Sequence, residues 1–353
     1  MTTDVSTISV GDRLVGQDFP PYIIAEAGVH HQNSVELAKA LALQARMSGA
    51  DAIKFQTYKA SELVVRDAPT YWADPTVSSQ FEMFESRAQL SLDQYEAIAS
   101  YCDSIGIAFL STPFDLGAVD VLESVGVSAF KIASGDLTNL PLIERVCDTG
   151  KPLIISTGAS LFSEVEETAN YCTSRGVPFA LLHCVLSYPT REARANLARI
   201  AKLQEAAPGC LVGYSDHTIA SEVPETCPMA VVLGAVIIEK HFTITPNDKG
   251  DDHGHACDPG QMTELVRSCK TAWELSRYRG ELQDIEEPAR QNARRSIVAR
   301  HGVTSGHVLT IDDLAFKRPG GGISPMAYKS VLGRTAVRDL PPDHAISHID
   351  LTD

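Results

Sequence analysis

A run of apolar residues that ends in charged side chains is the feature of this sequence most suggestive of chemistry. The stretch VIIEKHFT, residues 236–243, begins with three apolar residues suited to a buried strand and then presents Glu239, Lys240 and His241. A strand that served stability alone would not need charge at its end, because an unpaired buried charge is costly. The position of these side chains therefore indicates a functional site.

A second histidine occupies the same kind of position. His217 closes the apolar run LVGYSDH, residues 211–217, which precedes the run containing His241. If the two strands are neighbours, the two imidazoles can share one divalent ion, and neutral imidazole favours a transition metal such as manganese, zinc or iron over calcium. Two protein ligands leave coordination positions open, and an ion with open positions can polarise a carbonyl group.

Two lysines lie inside other apolar runs, Lys54 in DAIKFQT and Lys131 in AFKIAS. With hydroxyl groups from further strand ends, they would form a cradle for phosphate and carboxylate groups. The sequence contains neither of the common glycine-rich phosphate loops, which disfavours a nucleotide cofactor. The hydroxyl groups in question belong to Thr112, Ser134, Ser156 and Ser215.

A second metal-binding pattern is DDHGH, residues 251–255, which follows His241 closely. Its carboxylates and imidazoles could bind an ion of their own. We favour the alternative interpretation, that it is a polar loop over the site or a substrate contact.

Eight apolar runs can bring these residues together. They begin at residues 22, 51, 107, 129, 152, 179, 211 and 236, so six of the seven steps between them are 22 to 32 residues long. Continuous apolar character is typical of parallel strands buried on both faces, and each step fits one strand–helix unit. Eight such units close a parallel barrel, so we predict an α/β fold with a (β/α)8, or TIM, barrel.

In such a barrel the active site lies at the C-terminal ends of the strands, here called the barrel mouth. A strand-end serine or threonine can also be a helix cap, and His183 is equally well explained as a core histidine. The concentration of lysine and histidine at successive ends favours an active site. The polar residues at these ends are Glu26, Lys54, Gln56, Ser111, Thr112, Lys131, Ser134, Ser156, His183, Ser215, Asp216, His217, Glu239, Lys240 and His241.

Helical segments separate the predicted strands. Residues 34–49 begin at a serine suited to an N-cap and end at a glycine, and residues 91–106 repeat the pattern. The long second step contains an insertion, residues 60–90, with prolines and aromatic residues. An insertion of this length after a barrel strand is typical of a lid or a wall of the substrate site.

The composition excludes several classes of protein. With 45 acidic and 30 basic residues the net charge is −15, which disfavours binding to nucleic acid or to an anionic membrane. No apolar run approaches the roughly 20 residues of a membrane helix, and the N-terminus does not resemble a signal peptide, so we expect a cytoplasmic protein. The 8 cysteines form no CxxC pair, and we expect them to be reduced.

The motifs around these residues resemble the sialic acid synthase (N-acetylneuraminate synthase) family, which includes legionaminic and pseudaminic acid synthases. The similarity extends over essentially the whole chain. It is carried by IIAEAGVHH (23–31), GADAIKFQTYKASEL (49–63), STPFD (111–115), KIASGD (131–136), HCVLSYPT (183–190), GYSDHT (213–218) and IEKHFT (238–243).

The resemblance implies a condensation of phosphoenolpyruvate with an N-acylated hexosamine such as N-acetylmannosamine, to give a nine-carbon 2-keto-3-deoxy sugar acid and phosphate. It also implies a divalent metal on His217 and His241, manganese by expectation, with magnesium or cobalt as alternatives. By the same resemblance, phosphoenolpyruvate is held by Lys54, Thr112, Lys131, Ser134, Ser156, Tyr188 and Ser215. Carboxylates on the sugar side are Glu26, Asp136 and Asp252. The residues we expect to be catalytic are Glu26, Lys54, Lys131, Asp136, His217 and His241.

The C-terminal part resembles the small, mainly β antifreeze-like (SAF) domain of that family, through RRSIVA (294–299), KRPGGGISP (317–325) and LGRTAVRDL (332–340). We therefore expect a barrel in residues 1–280, a linker in 281–295 and a SAF domain in 296–353. Arg318 matches an arginine that one subunit of the family inserts into the barrel of the other, which implies a domain-swapped homodimer.

Departures from the family pattern concern the sugar more than phosphoenolpyruvate. The chain reads VHHQN at 29–33 where the family often has VNHNG, has Asp136 in place of glutamate, places Leu186 where some members have a polar residue, and gains His255 after the last strand. N-acetylmannosamine, its 6-phosphate or a dideoxy-diacetamido hexose therefore remain open as acceptors. Two further hypotheses are a class I aldolase with a Schiff base on Lys131 or Lys54 and a sugar-binding barrel without catalysis.

Overall fold

The computed structural model describes residues 7–70, 79–87, 90–221, 224–248 and 252–352. The chain divides into two compact units, Met1–Ser276 and Arg277–Asp353. The strands of the first unit are β1 (Thr7–Val10), β2 (Arg13–Gly16), β3 (Tyr22–Gly28), β4 (Ala52–Thr57), β5 (Ala108–Pro113), β6 (Phe130–Ile132), β7 (Leu153–Ser156), β8 (Phe179–Cys184), β9 (Leu211–Asp216) and β10 (Ile237–His241).

The helices of the first unit alternate with the strands from β3 onward. They are α1 (Val35–Met47), α2 (Ala60–Leu63), α3 (Gln80–Arg87), α4 (Leu92–Ile105), α5 (Leu116–Val125), α6 (Leu140–Cys147), α7 (Phe162–Ser174), α8 (Arg199–Ala206), α9 (Thr226–Val232) and α10 (Pro259–Ser276).

The strands β3 to β10 form one parallel sheet in the order β5-β4-β3-β10-β9-β8-β7-β6. The first strand, β3, pairs with the last, β10, so that Glu26 lies opposite His241 in the register. Pairing of the first and last strands curls the sheet into a nearly closed barrel with helices outside. The predicted TIM barrel is confirmed, and its eight strands are the eight apolar runs.

Side chains alternate between the two faces of each strand. On β10, Ile237 packs inside the barrel against Ile24 and Leu110, whereas its neighbour Ile238 belongs to the larger core that the strands share with the helices. Because side chains alternate with period two, Glu239 and His241 point to the same side as Ile237, into the barrel. This alternation decides which strand-end residues reach the mouth.

A hairpin that the sequence interpretation missed fills the barrel opposite the mouth. Strands β1 and β2 pair antiparallel, and Ile8, Val10 and Val15 pack with the interior residues at the starts of the barrel strands. Gly213 marks how tight this interior is, since a Cβ at that position would lie 2.4 Å from a side-chain carbon of Leu182. The barrel centre is therefore a packed core, so a ligand of the barrel is expected at its mouth rather than inside it.

The helix signals read from the sequence are confirmed. Ser34 caps α1 by accepting a hydrogen bond from the backbone N–H of Leu37, and α4 ends at Gly106, whose positive φ of 71° suits glycine. In the predicted insertion, residues 60–90, the structure describes α2 and α3. Residues 71–78 and 88–89 lie outside the described residues, and the lid interpretation stays a prediction.

The second unit is small and mainly β. Its elements are α11 (Glu287–Ala293), β11 (Ser296–Ala299), β12 (Leu314–Lys317), β13 (Thr335–Ala336) and β14 (Leu351–Thr352), with β11–β12 and β13–β14 paired antiparallel. A core of its own includes Ile297, Leu314 and Ile346. Within the described parts of the whole chain, no helix is long and apolar enough to cross a membrane.

Candidate active site at the barrel mouth

Strand alternation divides the polar residues at the strand ends into two groups. Asp216 and Lys240 point away from the barrel and form a buried ion pair at 2.9 Å. His183 also points outward, where its Nε2 lies 2.7 Å from the carbonyl oxygen of Ala195, so it is a core histidine. The residues that converge inside the mouth occupy the alternate positions of the strands, whose side chains point into the barrel.

Lys54 lies at the centre of the first cluster in the mouth. Its Nζ lies 2.5 Å from the carboxylate of Glu26 and 3.7 Å from that of Glu239, and it donates a hydrogen bond of 3.1 Å to the hydroxyl of Thr112. Ser215 in turn donates to Glu239 at 3.0 Å. Residues from β3, β5 and β10 thus surround the buried ammonium group of Lys54 on β4, and Ser215 on β9 joins the cluster through Glu239.

The ionisation of this cluster follows from burial and mutual charge. Burial by itself lowers the pKa of Lys54, but Glu239 and Glu26 more than offset it, so the pKa is raised and the ammonium persists. Burial raises the pKa of Glu26 to about 7, against the opposing effect of Lys54. Glu239 keeps a lowered pKa, since Lys131 and Lys54 outweigh the effect of its burial.

Lys131 forms a second cationic point in the mouth. Its Nζ donates to the hydroxyl of Ser156 at 2.6 Å and to the carbonyl oxygen of Ile132 at 2.9 Å. Burial lowers the pKa of Lys131. Nearby, the hydroxyl of Ser134 accepts a hydrogen bond of 3.0 Å from the backbone N–H of Gly158. These donors and hydroxyls form an array suited to an oxyanion.

Asp136 lies on the short 3-10 turn Ser134–Asp136 that follows β6, and it is partly exposed. Its carboxylate accepts a hydrogen bond of 3.0 Å from the side-chain amide of Asn139. Burial raises the pKa of Asp136. The residue is therefore a carboxylate at the edge of the mouth rather than at its centre.

His217 follows β9 and has a fixed orientation. Its Nδ1 lies 2.9 Å from the carbonyl oxygen of Val185 and 3.7 Å from Sγ of Cys184. Burial lowers the pKa of His217, but Cys184 more than offsets it and brings the value to about 9, so an ion that binds this ring would displace a proton from it. If Nδ1 donates to Val185, Nε2 is the nitrogen left for an ion, an arrangement common in metal sites.

His241, Asp252 and His255 form a close group beside His217. One ligand atom from each of the three lies within 4.8 Å of the others. The ring centroids of His217 and His241 are 5.2 Å apart, and those of His241 and His255 are 4.7 Å apart. Burial lowers the pKa of His255 to about 3 and that of His241 well below its usual value, so both imidazoles are neutral.

Aromatic rings border this imidazole cluster. Tyr188 lies against His217, with ring centroids 4.2 Å apart, and its ring is 5.6 Å from that of His255. His30 stacks on His253 at 3.9 Å, and Nδ1 of His253 lies 2.8 Å from the hydroxyl of Thr243. The extra histidine of the VHHQN stretch is thus part of the wall around the loop that carries His255.

The donors at the mouth fit a divalent transition metal. Neutral buried imidazoles with an adjacent carboxylate are the ligand types that such ions prefer. Nδ1 of His241 and Nε2 of His255 are buried and have no hydrogen-bond partner among the described residues, which leaves both lone pairs or protons unsatisfied. The pair His217 and His241 stays the predicted metal site, and the structure brings it next to this group.

Three residues of the mouth were not among the site residues expected from the sequence. Glu239 was recognised only as a strand-end residue, Cys184 only as one of the 8 cysteines, and His255 only within the DDHGH pattern and as a departure from a motif. The alternation of side chains along a strand could have identified two of them. Glu239 lies two residues before His241, and Cys184 lies two residues after Leu182, so each pair points to the same face of its strand. The DDHGH pattern marked His255 as a possible ligand near His241, but only the structure shows that the two side chains are adjacent. Arg318 lies in the second unit, exposed, directly after β12.

Comparisons with known proteins identify the family of the chain. The sequence profile of the NeuB family matches residues 41–279, and that of the SAF domain matches residues 294–351. The N,N′-diacetyllegionaminic acid synthase of Legionella pneumophila is 38% identical over 90% of this chain and 91% of its own length. The pseudaminic acid synthase of Helicobacter pylori is 30% identical over 94% and 98% of the two chains.

Solved structures give the same assignment. The crystal structure of the N-acetylneuraminic acid (sialic acid) synthetase of Leptospira borgpetersenii, in complex with citrate, superposes with a TM-score of 0.73 at 31% identity, covering 80% of this chain and 94% of that one. The fold and site therefore define a TIM-barrel enzyme of the class that forms carbon–carbon bonds. The chain belongs to the NeuB family and carries its SAF domain.

Proposed function

We propose that the protein condenses phosphoenolpyruvate with the open-chain aldehyde of an N-acylated hexosamine, giving a nine-carbon 2-keto-3-deoxy sugar acid and phosphate. The observation that supports this most strongly is the presence of two buried lysines and a group of neutral imidazoles in one barrel mouth. The relatives that share this barrel are named for such acids.

The two lysines would bind phosphoenolpyruvate. Lys54 and Lys131 offset the negative charge of its phosphate and carboxylate, and the hydroxyls of Thr112 and Ser156 extend the cradle. Electrostatic interactions are strong in a mouth from which water is largely excluded, and the fixed positions of these groups hold the enol for attack. Ser134, Tyr188 and Ser215 are the remaining proposed contacts of phosphoenolpyruvate.

The reaction balances without a redox partner. C3 of phosphoenolpyruvate bonds to the aldehyde carbon, and the aldehyde oxygen takes up a proton to become a hydroxyl group. Water adds at C2, the C2–O bond to phosphate breaks, and the 2-keto group forms. Glu26, next to Lys54, is the proposed proton donor on the sugar side, and Asp136 and Asp252 are the proposed sugar contacts.

A divalent ion bound by His217 and His241, manganese in this proposal with magnesium or cobalt as alternatives, would supply electrophilic activation of the aldehyde oxygen. The two rings lie close enough together to face one ion. In the proposed homodimer, Arg318 of one subunit would contact the N-acyl group of the sugar bound in the barrel of the other.

The remaining question is which of three sugars is the acceptor. A diacetamido-trideoxy hexose is favoured over N-acetylmannosamine or its 6-phosphate by the 38% identity to a legionaminic acid synthase. The experiment is phosphate release from phosphoenolpyruvate by metal-stripped protein given back Mn²⁺, with the three sugars as parallel acceptors. Release that requires both the metal and one sugar supports the proposal. Folded protein that releases no phosphate with any sugar contradicts it and favours a barrel that only binds sugar.

A further inference from the structure

The loop after β10 returns two side chains to the end of that strand. Asp252 precedes the 3-10 turn His253–His255, and His255 is its last residue. The ligand atoms of both lie within 4.8 Å of that of His241. His241 and His255 are 5% and 4% exposed. A loop that lies over a site only as a polar cover would not need to bury an imidazole there.

The nitrogen–oxygen distances within this group are longer than those of ordinary hydrogen bonds. Nδ1 of His241 lies 3.4 Å from one oxygen of the Asp252 carboxylate, and Nε2 of His255 lies 3.8 Å from the other. Neither nitrogen has a hydrogen-bond partner within the described ranges. Both imidazole nitrogens are buried and face the same carboxylate at distances longer than those of ordinary hydrogen bonds. Such a spacing is the one expected of groups arranged around a common ion.

We propose that His255 is a metal ligand together with His241, so that this chain adds a third imidazole donor to the pair His217 and His241, while Asp252 keeps its proposed contact with the sugar. The inference rests on the proposed function, because it concerns the same ion. A set of imidazole nitrogens prefers Co²⁺, Zn²⁺, Fe²⁺ or Mn²⁺ to Mg²⁺. His255 thereby makes the centre tighter and more selective against Mg²⁺ than the pair alone.

Binding of Co²⁺ to metal-stripped full-length protein tests the proposal directly. The dissociation constant and the visible absorption of bound Co²⁺ are measured for the wild type and for His255→Asn. Removal of one ligand should raise the Kd by about tenfold or more, since outer partners of metal ligands already contribute 10- to 100-fold. An excess of Mg²⁺ should not displace Co²⁺ from the wild type.

The matched control is His253→Gln. This change removes a buried imidazole from the same turn, but the ring of His253 stacks on His30 and its Nδ1 faces Thr243, outside the proposed ligand set. It should leave the Co²⁺ spectrum and the Kd near their wild-type values. Circular dichroism of both variants verifies that the barrel is folded.

A second variant tests directly whether the side chain at position 255 is bonded to the ion. In His255→Cys, a thiolate bound to Co²⁺ would add a sulfur-to-cobalt charge-transfer band in the near ultraviolet relative to the wild type. The proposal is overturned if folded His255→Asn binds Co²⁺ with the wild-type Kd and spectrum, or if His255→Cys adds no such band. Metal-dependent phosphate release by the same wild-type preparation would then leave the proposed function standing, so the two failures are distinguishable.

Discussion

The ammonium group of Lys54 lies 2.5 Å from the carboxylate of Glu26, and the two side chains are 4% and 2% exposed. Glu239 adds a second carboxylate 3.7 Å from the same ammonium. A buried charge cluster of this kind is weak support for stability, because desolvation offsets much of the attraction between the charges. Its position at the end of three barrel strands indicates that it is kept for binding and chemistry.

Lys54→Met should abolish phosphate release and also destabilise the barrel. The change leaves Glu26 and Glu239 buried without their cation, and breaking a buried pair costs about 3–5 kcal/mol. Urea unfolding and phosphate release measure the two effects separately. The double variant Lys54→Met/Glu26→Gln should regain part of the stability and none of the activity. A folded single variant that still turned over phosphoenolpyruvate would remove Lys54 from the proposed mechanism.

The two faces of the strands should respond differently to charge removal. Asp216→Asn breaks the outward pair with Lys240 and should lower the free energy of unfolding by about 3–5 kcal/mol, while the folded enzyme keeps kcat/KM near the wild-type value. Glu239→Gln should lower kcat/KM with a smaller loss of stability. Kinetics well below the melting temperature, with urea unfolding, compare the two. A loss of kcat/KM in Asp216→Asn but not in Glu239→Gln would show that the site is not formed by the side chains that point into the barrel.

Metal removal should separate the proposed mechanism from a class I aldolase. Burial lowers the pKa of Lys131, which is a property of Schiff-base lysines as well as of buried structural ones. We expect chelation to abolish phosphate release and borohydride with substrate to leave the mass of the protein unchanged. An adduct on Lys131 or Lys54, with activity that persists in chelator, would instead identify the aldolase.

Arg318→Ala should raise the KM for the sugar by about tenfold or more, with little effect on the KM for phosphoenolpyruvate, because a charged hydrogen bond contributes about 1.5–3 kcal/mol. Steady-state kinetics with each substrate varied in turn provide the measurement. Equal effects on both constants would place Arg318 outside the sugar pocket.

Mixing subunits tests the exchange of that arginine. Lys54→Met and Arg318→Ala subunits, denatured and refolded together, should regain activity if Arg318 serves the barrel of the partner, since one barrel of each mixed dimer is then complete. Mixtures no more active than the separate variants would contradict the swap.

The second unit should weaken in acid. Asp350 is fully buried, and burial alone raises its pKa, but donors on Ser347, Arg338 and His344 more than offset this and hold the pKa well below the usual range. A lowered folded pKa means that the stabilisation is complete above the unfolded value of about 3.9 and is lost as pH falls through the folded value. Hydrogen exchange in residues 335–352 should therefore quicken below about pH 4. Asp350→Asn should be less protected at neutral pH and lack this dependence.

Much of the barrel was predictable from the sequence because burial on both faces leaves a strong local signal. Strands such as FALLHC and IIEKH start with apolar residues, are buried along their whole length and are spaced by one helix each. Ser34 begins its helix and Gly106 ends its helix as their chemistry requires. The hairpin β1–β2 was missed, since strands of only four residues, each with two buried positions, leave a weak signal. The domain limits and the roles of the site residues remain predictions.

The sequence by itself determined the family, the barrel and the supply of lysine, histidine and hydroxyl groups at its mouth, because these depend on local pattern and motif. Only the tertiary structure decided which groups meet. It directed Asp216 and Lys240 to each other behind the sheet, set Glu26 and Glu239 around Lys54, and returned His255 to the side of His241. Closure of the barrel and the path of a loop determine such distances, and neither can be read from the spacing of residues along the chain.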